Sequence, residues 1–358
     1  MIKVFYFYFH KEKYYSSSPI VNNFKILFQN DPLFLQNQIE LTPFTHFVPQ
    51  LDKSKMLFDI PKDEMPQHLF SAMDKIIEIL PDISKKYNKI ILLAFHPTPF
   101  QPFIRNYKKI RDYPNIKTIL WQDDLQAYFD NPNYTHKLDY PNHIITPSPI
   151  YFQNVAPHYL QKTSFFFYSA DFQENEQFSI KWNERINKVI LTGCVNESYK
   201  IRHDIAVERT KNKKFEEITD FIKKPRSKEY NYKNKTNLPY GQNYYKLLGK
   251  YKGAFFAYYQ YPKNFNLAKI IEILSMGCIG FFEFSPLLEN ELGLIPFQHY
   301  VPCTKDGQLI TKSKYYKYFL NDTDGKGSEI AKNGQQYIRD NFSNFNGIKN
   351  YINIFQKI

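Results

Sequence analysis

The chain has 358 residues, 43% of them hydrophobic, 18% aromatic and 23% charged, and a formal net charge of +12. That length and apolar content suit two domains of ordinary size and exclude a disordered chain. Three cysteines, Cys194, Cys278 and Cys303, form no CxxC pair, which excludes a disulfide framework and a cysteine-based zinc site and fits a reducing compartment.

The basic balance favours anionic partners, such as nucleotides, nucleic acid or acidic lipid. Nine Lys or Arg residues fall between Lys211 and Lys235, against Glu216, Glu217, Asp220 and Glu229. Such a run reads first as a solvated helix and loop. No apolar run approaches the roughly 18 residues of a membrane helix, and the start, MIKVFYFYFHKEKYY, is too charge-interrupted for a signal peptide. These features predict a soluble intracellular protein with no integral membrane segment.

In chain order, residues 3–9, 25–27, 90–95, 118–121, 144–146 and 165–168 read as short strands. Helical patterns cover 65–80 and 100–111. Alternating strand and helix predict an α/β parallel sheet covered on both faces. This half turns its corners with Pro, Asn and Asp, because all twelve glycines lie between Gly193 and Gly347. That asymmetry predicts two domains with different duties. Residues 171–185 (DFQENEQFSIKWNER) lack an apolar period and read as a linker.

A second series opens with the strand 188–193. Another strand is expected near Phe215, then a helix over 243–251 and a strand over 254–258. The stretch from Lys263 to Val301 carries the chemistry. It reads as a loop, a helix over 266–276, a Gly277-Cys278 stop and a strand over 278–282. Lys269 and Glu272 are three apart and share a helix face. A helix start near Asn266 suits an anion, and the carboxylate of Glu272 can accept hydrogen bonds from a ribose diol. Together these suit a sugar nucleotide. Amphipathic helices over 328–342 and 348–355 end the chain.

The tandem α/β units, strand 189–193 with Arg202 beyond it, Tyr244-Tyr245, the Lys269–Glu272–Gly277 helix and His299-Tyr300-Val301 resemble the GT-B glycosyltransferases. The likeness is to the "glycosyltransferase family 1-like" C-terminal domain of bacterial and large-virus proteins, and it extends over about residues 188–350. In the first half, Trp121-Gln122-Asp123-Asp124 and 144–151 are similar to segments that precede the linker in such enzymes. The resemblance implies two Rossmann-like domains facing each other across a cleft, with C-terminal helices packing back. The expected organisation is an acceptor domain over 1–175, a linker over 176–187, a nucleotide-sugar domain over 188–335 and C-terminal helices over 336–358.

The resemblance also implies roles. Glu272 matches the carboxylate that holds the donor ribose, Lys269 and Arg202 match basic positions near the diphosphate, and Gly193 matches the glycine of the first donor-domain loop. Asn266 stands at the expected helix start. Catalytic-base candidates are His96, Asp123 and Asp124, each at the carboxyl end of an expected first-domain strand, where α/β sheets bind ligands. A large group of retaining GT-B enzymes carries a second Glu eight residues before the ribose Glu. Asn264 stands there, which leaves stereochemistry open. Asp322-Thr323-Asp324 imitates the metal site of the other large glycosyltransferase fold, but it follows a helical pattern and reads as a surface loop.

The resulting expectation is a metal-independent glycosyltransferase with no cofactor. It would move a hexose or deoxyhexose from a nucleoside diphosphate sugar to a glycan hydroxyl, without nucleic acid as a partner. Two rivals stand beside it. One is a non-enzymatic basic module for nucleic acid or an anionic polymer, with the interleaved aromatics of 228–235 (KEYNYKNK) used for stacking. The other is a GT-B relative that has lost transfer activity.

Overall fold

Strand-length apolar runs assemble into two separate parallel sheets. The computed structural model describes residues 1–7, 26–27, 29–47, 65–95, 102–122, 132–166, 168–192, 200–221, 242–257 and 268–358. The chain divides into two units, one built from residues up to Phe167 together with Asn344–Ile358, the other chiefly from Tyr168–Ser343.

In the first unit the strands are β1 (Ile2–Phe7), β2 (Ile39–Pro43), β3 (Lys89–Phe95), β4 (Ile116–Trp121), β5 (His143–Thr146) and β6 (Thr163–Phe165). They pair in parallel in the order β2-β1-β3-β4-β5-β6. β3 is buried from Ile90 through Phe95, as a strand covered on both faces requires. Helix α1 (Met65–Lys86) buries Leu69, Ala72, Met73, Ile76 and Leu80 on one stripe. That stripe joins Phe5, Phe7, Ile90, Leu92 and Ala94, which alternate along one face of the sheet.

The sequence reading errs at one strand here. Ile26 and Leu27 are helical, and the strand beside β1 is β2. A three-residue apolar run has no period to separate strand from helix. In β2 the alternation is masked by Glu40, which bonds Lys3 and the Tyr87 hydroxyl.

The second unit contains β7 (Ile186–Leu191), α2 (Lys200–Lys211), β8 (Thr219–Phe221), α3 (Gln242–Leu248), β9 (Tyr251–Phe256), α4 (Ala268–Ser275), β10 (Ile279–Phe282), β11 (Val301–Pro302), α5 (Ser313–Asn321) and α6 (Lys326–Phe342). Its strands pair in parallel in the order β11-β10-β9-β7-β8. The strand expected near Phe215 is β8; Phe215 itself lies in the short helix Lys213–Glu216, whose start is capped by the Asn212 side chain accepting from Phe215 N at 3.2 Å. Its ring packs among Phe255, Phe281 and Tyr316.

The expected linker is ordered structure of the second unit. Phe172–Glu176 is helical, and Trp182–Glu184 forms a 3-10 turn. Asn175 donates to Ser275 Oγ at 2.9 Å, and Arg185 reaches the end of α4. These polar residues showed no apolar period because they hold the segment by hydrogen bonds. The expected C-terminal helices also divide between the units: α6 belongs to the second and α7 (Asn344–Lys357) to the first. Tyr351 of α7 packs on Phe166 and Trp121. Lys89 Nζ donates to the carbonyls of Phe355 and Gln356 at 3.1 and 2.9 Å, capping the carboxyl end of α7.

Two outcomes follow from this packing. His143 Nε2 lies 2.8 Å from Ser164 Oγ, and burial, with Lys357 and Lys162 nearby, lowers its pKa to about 4 from an ordinary 6.5. Between those values the unfolded chain binds a proton that the folded chain does not, so stability rises with pH through that window and is full above it. Urea unfolding across pH 4 to 7 should show this rise, and His143→Gln should flatten it. Separately, a Cβ at Gly334 of α6 would sit 2.5 Å from the carbonyl oxygen of His299 and 3.1 Å from Leu274 of α4. Gly334→Ala should therefore destabilise by about 1–3 kcal/mol through overpacking, read as a lower urea midpoint.

Candidate functional site

In the second sheet β7 and β9 are neighbours, while β8 follows β7 on its other side. The strand order therefore reverses between β7 and β9, and the carboxyl ends at such a switch point are where open α/β sheets bind ligands. Thr192 follows β7 and is fully buried, its Oγ1 donating to Phe255 O at 2.9 Å. Ala257 follows β9. Arg202, the third residue of α2, donates from Nε to Ala257 O at 2.8 Å and lies over the Phe256 ring at 4.8 Å. A buried guanidinium is thus fixed at the mouth of this sheet.

Helix α4 lies between β9 and β10 in the chain. Ala268 and every residue from Ile270 to Ser275 are buried, and only Lys269 is half-buried. An all-round apolar helix packs as core, so the one acid it carries is a carboxylate in an apolar surrounding. Glu272 is 2% exposed. Lys269 Nζ donates to its Oε2 at 2.5 Å and sits 4.1 Å above the ring of Tyr244 on α3. Burial raises the pKa of Glu272, while Lys269 and the Tyr244 hydroxyl pull it back. Burial and then the Glu272 charge push the Tyr244 phenol up. Its hydroxyl faces Glu272 and Thr192 without a hydrogen bond of regular geometry to either.

The position of α4 is set from behind. Gly277 stops the helix in the left-handed region at φ 64°. Arg185 donates to the carbonyls of Gly277 and Met276 at 2.7 and 3.0 Å, satisfying helix-end acceptors. Ser275 Oγ donates to Glu272 O at 3.0 Å and accepts from Asn175. Gln335 of α6 donates to Ser275 O at 2.9 Å. Of these supports only Gly277 stands out in the sequence, as the helix stop. Asn175 and Arg185 sat inside the apparent linker, and only their partners in space reveal their use.

The structure thus brings Glu272 and Lys269 together and anchors Arg202 at the carboxyl end of β9. Gly193, Asn266, Asn264, His96, Asp123, Asp124 and residues 228–235 lie outside the described residues. His299 accepts from Ile295 N at Nδ1 (3.0 Å), stacks on Tyr337 and has its pKa lowered by burial, so it serves packing as a neutral ring. Tyr300 is buried against Phe282. Asp322 accepts from Trp182 Nε1 and Ser328 N at 2.8 and 3.0 Å, and Asp324 from Tyr318 Oη and Lys326 N at 2.6 and 3.2 Å. Both carboxylates are therefore engaged in local bonds around the start of α6. Among the described residues no group of three or more His, Cys, Asp or Glu side chains gathers as metal ligands.

No family model and no curated protein matches the sequence. Solved structures do match over its whole length, and the class they define is the GT-B fold of glycosyltransferases. An α-glucosyltransferase in complex with UDP and a 13-mer DNA matches with a TM-score of 0.62 at 12% identity, over 99% of each chain. Sucrose-phosphate synthase from Thermosynechococcus elongatus matches with a TM-score of 0.56 at 10% identity over 100% of each chain. Anabaena HepE in complex with UDP-glucose matches with a TM-score of 0.58 at 10% identity, over 99% of this chain and 100% of that one. At these identities the likeness is one of fold.

The ion pair on α4 has a measurable consequence. Lys269→Met leaves Glu272 buried without its cation. Removing one partner of a fully buried pair costs roughly 3–5 kcal/mol, and the partial exposure of Lys269 reduces this to about 2 kcal/mol. In denaturant unfolding, the double variant Lys269→Met/Glu272→Gln should recover most of that loss.

Proposed function

We propose that the chain transfers a sugar from a nucleoside diphosphate sugar to an acceptor hydroxyl. The observation that carries this is Glu272, a buried carboxylate on the helix that follows β9, one of the two strands flanking the switch point of a GT-B fold. A carboxylate held there accepts both hydroxyl protons of a ribose diol. The donor reading is supported by the UDP and UDP-glucose complexes among the similar structures. Arg202 supplies fixed positive charge to the diphosphate, with Lys269 the second cation on this face. Their charge stabilises the departing diphosphate without a metal. The net charge of +12 draws the anionic donor in. A hexosyl donor, in particular a glucosyl one, agrees with the same complexes.

The acceptor is a hydroxyl on a glycan in the first reading. A specific observation favours a second: three of the similar structures, all of an α-glucosyltransferase, hold DNA beside UDP or UDP-glucose. The expectation that nucleic acid is not a partner therefore gives way to a test. Nucleic-acid binding through phosphate contacts falls steeply between low and moderate salt, whereas binding of a nucleotide in a specific site persists.

Thermal shift against UDP, GDP, CDP, dTDP, ADP and their sugars tests the donor. A ligand at 100 times its dissociation constant stabilises by about 2.7 kcal/mol, so one base should raise the melting temperature clearly. Glu272→Gln should weaken that nucleotide by about tenfold or more, since hydrogen bonds to a charged group contribute roughly 1.5–3 kcal/mol. No shift with any nucleotide overturns the reading, and unchanged affinity in folded Glu272→Gln removes Glu272 from it.

A further inference from the structure

The nucleotide-sugar reading gives Tyr244 no task. Its phenol is 7% exposed, and its hydroxyl is buried without a regular hydrogen bond. Buried polar groups are almost always satisfied, and an exception in a folded protein calls for a physical reason. Packing alone would be served as well or better by phenylalanine, because a buried hydroxyl lacking a partner costs stability.

The surroundings supply the reason. The ring lies under the Lys269 ammonium at 4.1 Å, and a cation over an aromatic face is attracted by the ring quadrupole. The hydroxyl faces the Glu272 carboxylate and Thr192 Oγ1, whose own proton goes to Phe255 O. One side chain therefore seats the ammonium of the ion pair and faces its carboxylate. It comes from α3, a different element from α4, so it can fix the pair in a way their three-residue spacing alone cannot. Long side chains such as Lys269 and Glu272 otherwise sample many rotamers, and binding would have to freeze them.

We propose that Tyr244 is a positioning residue that sets Glu272 for a ribose diol, by its hydroxyl directly and by its ring through Lys269. The proposal rests on the nucleotide-sugar reading. On binding, the diol becomes the group Glu272 is oriented to receive, and the Tyr244 hydroxyl gains its missing partner when the carboxylate settles. The cost of an orphan hydroxyl in the free protein is thus retained for ligand recognition, as strained or unsatisfied groups at binding sites are.

The test compares a ribonucleoside diphosphate with its 2′,3′-dideoxy analogue by titration calorimetry, using the base that gives the largest thermal shift. Wild type should prefer the ribonucleotide, and Glu272→Gln should lose that preference. Tyr244→Phe keeps the ring and removes only the hydroxyl. It should melt no lower than wild type, bind the ribonucleotide about five- to tenfold more weakly, and bind the dideoxy analogue unchanged. Tyr244→Leu, which also removes the seat of Lys269, should lose more of the ribo preference than Tyr244→Phe. A folded Tyr244→Phe with the wild-type preference overturns the positioning role. So does a Tyr244→Phe that melts lower and weakens both ligands equally, the pattern of a purely structural residue. A Glu272→Gln that keeps the preference overturns the Glu272 reading instead, and the two failures are thereby distinguishable.

Discussion

The second unit is organised around one buried charge. Glu272 occupies a helix whose other buried side chains are apolar or small, and a carboxylate in such a place is tolerated only with a partner. Lys269 supplies the partner from one turn away, and Tyr244 holds the ammonium from the neighbouring helix. The supports behind the helix make sense in this light. Arg185 satisfies the carbonyls at its end, Asn175 and Gln335 fix Ser275, and Gly334 lets α6 approach closely. A helix carrying a buried ion pair keeps that pair in register with its surroundings only if it is fixed in translation and rotation. Hydrogen bonds from three separate segments provide that rigidity.

The same logic accounts for the place of the site. Consecutive apolar positions make β7 and β9 central strands, and the crossover order puts them side by side with the reversal between them. At such a reversal open α/β sheets bind their ligands, at the carboxyl ends of the strands. Arg202 and Thr192 are fastened to the backbone at that point, on Ala257 and Phe255. Charge and hydrogen-bonding groups are thus displayed on strand ends and a helix, which are stiffer supports than loops.

Much of this was legible in the sequence, and the limits were physical. Strands such as 90–95 and 279–282 announced themselves because burial on both faces demands unbroken apolar runs. The helix with Lys269 and Glu272 was visible because an acid inside Ile-Ile-Glu-Ile-Leu is costly unless it is used. The strand Ile39–Pro43 was hidden by Glu40, whose charge broke the pattern while Lys3 and Tyr87 satisfied it in space. Residues 171–185 looked like a linker because their stabilising partners are more than ninety positions away for Asn175 and Arg185. Tyr244 appeared only as part of a motif. Its contact with an ion pair twenty-five residues further on depends on the packing of α3 against α4, which no local pattern encodes.

The central claim is that Glu272 receives the ribose of a nucleoside diphosphate. The most direct measurement is a crystal structure of the protein with the nucleoside diphosphate that stabilises it most. The account predicts both ribose hydroxyls within hydrogen-bond distance of the Glu272 carboxylate and the diphosphate on the Arg202 side of the β7 and β9 ends. A nucleotide bound elsewhere, or a ribose turned away from Glu272 with its Lys269 bond undisturbed, would contradict it.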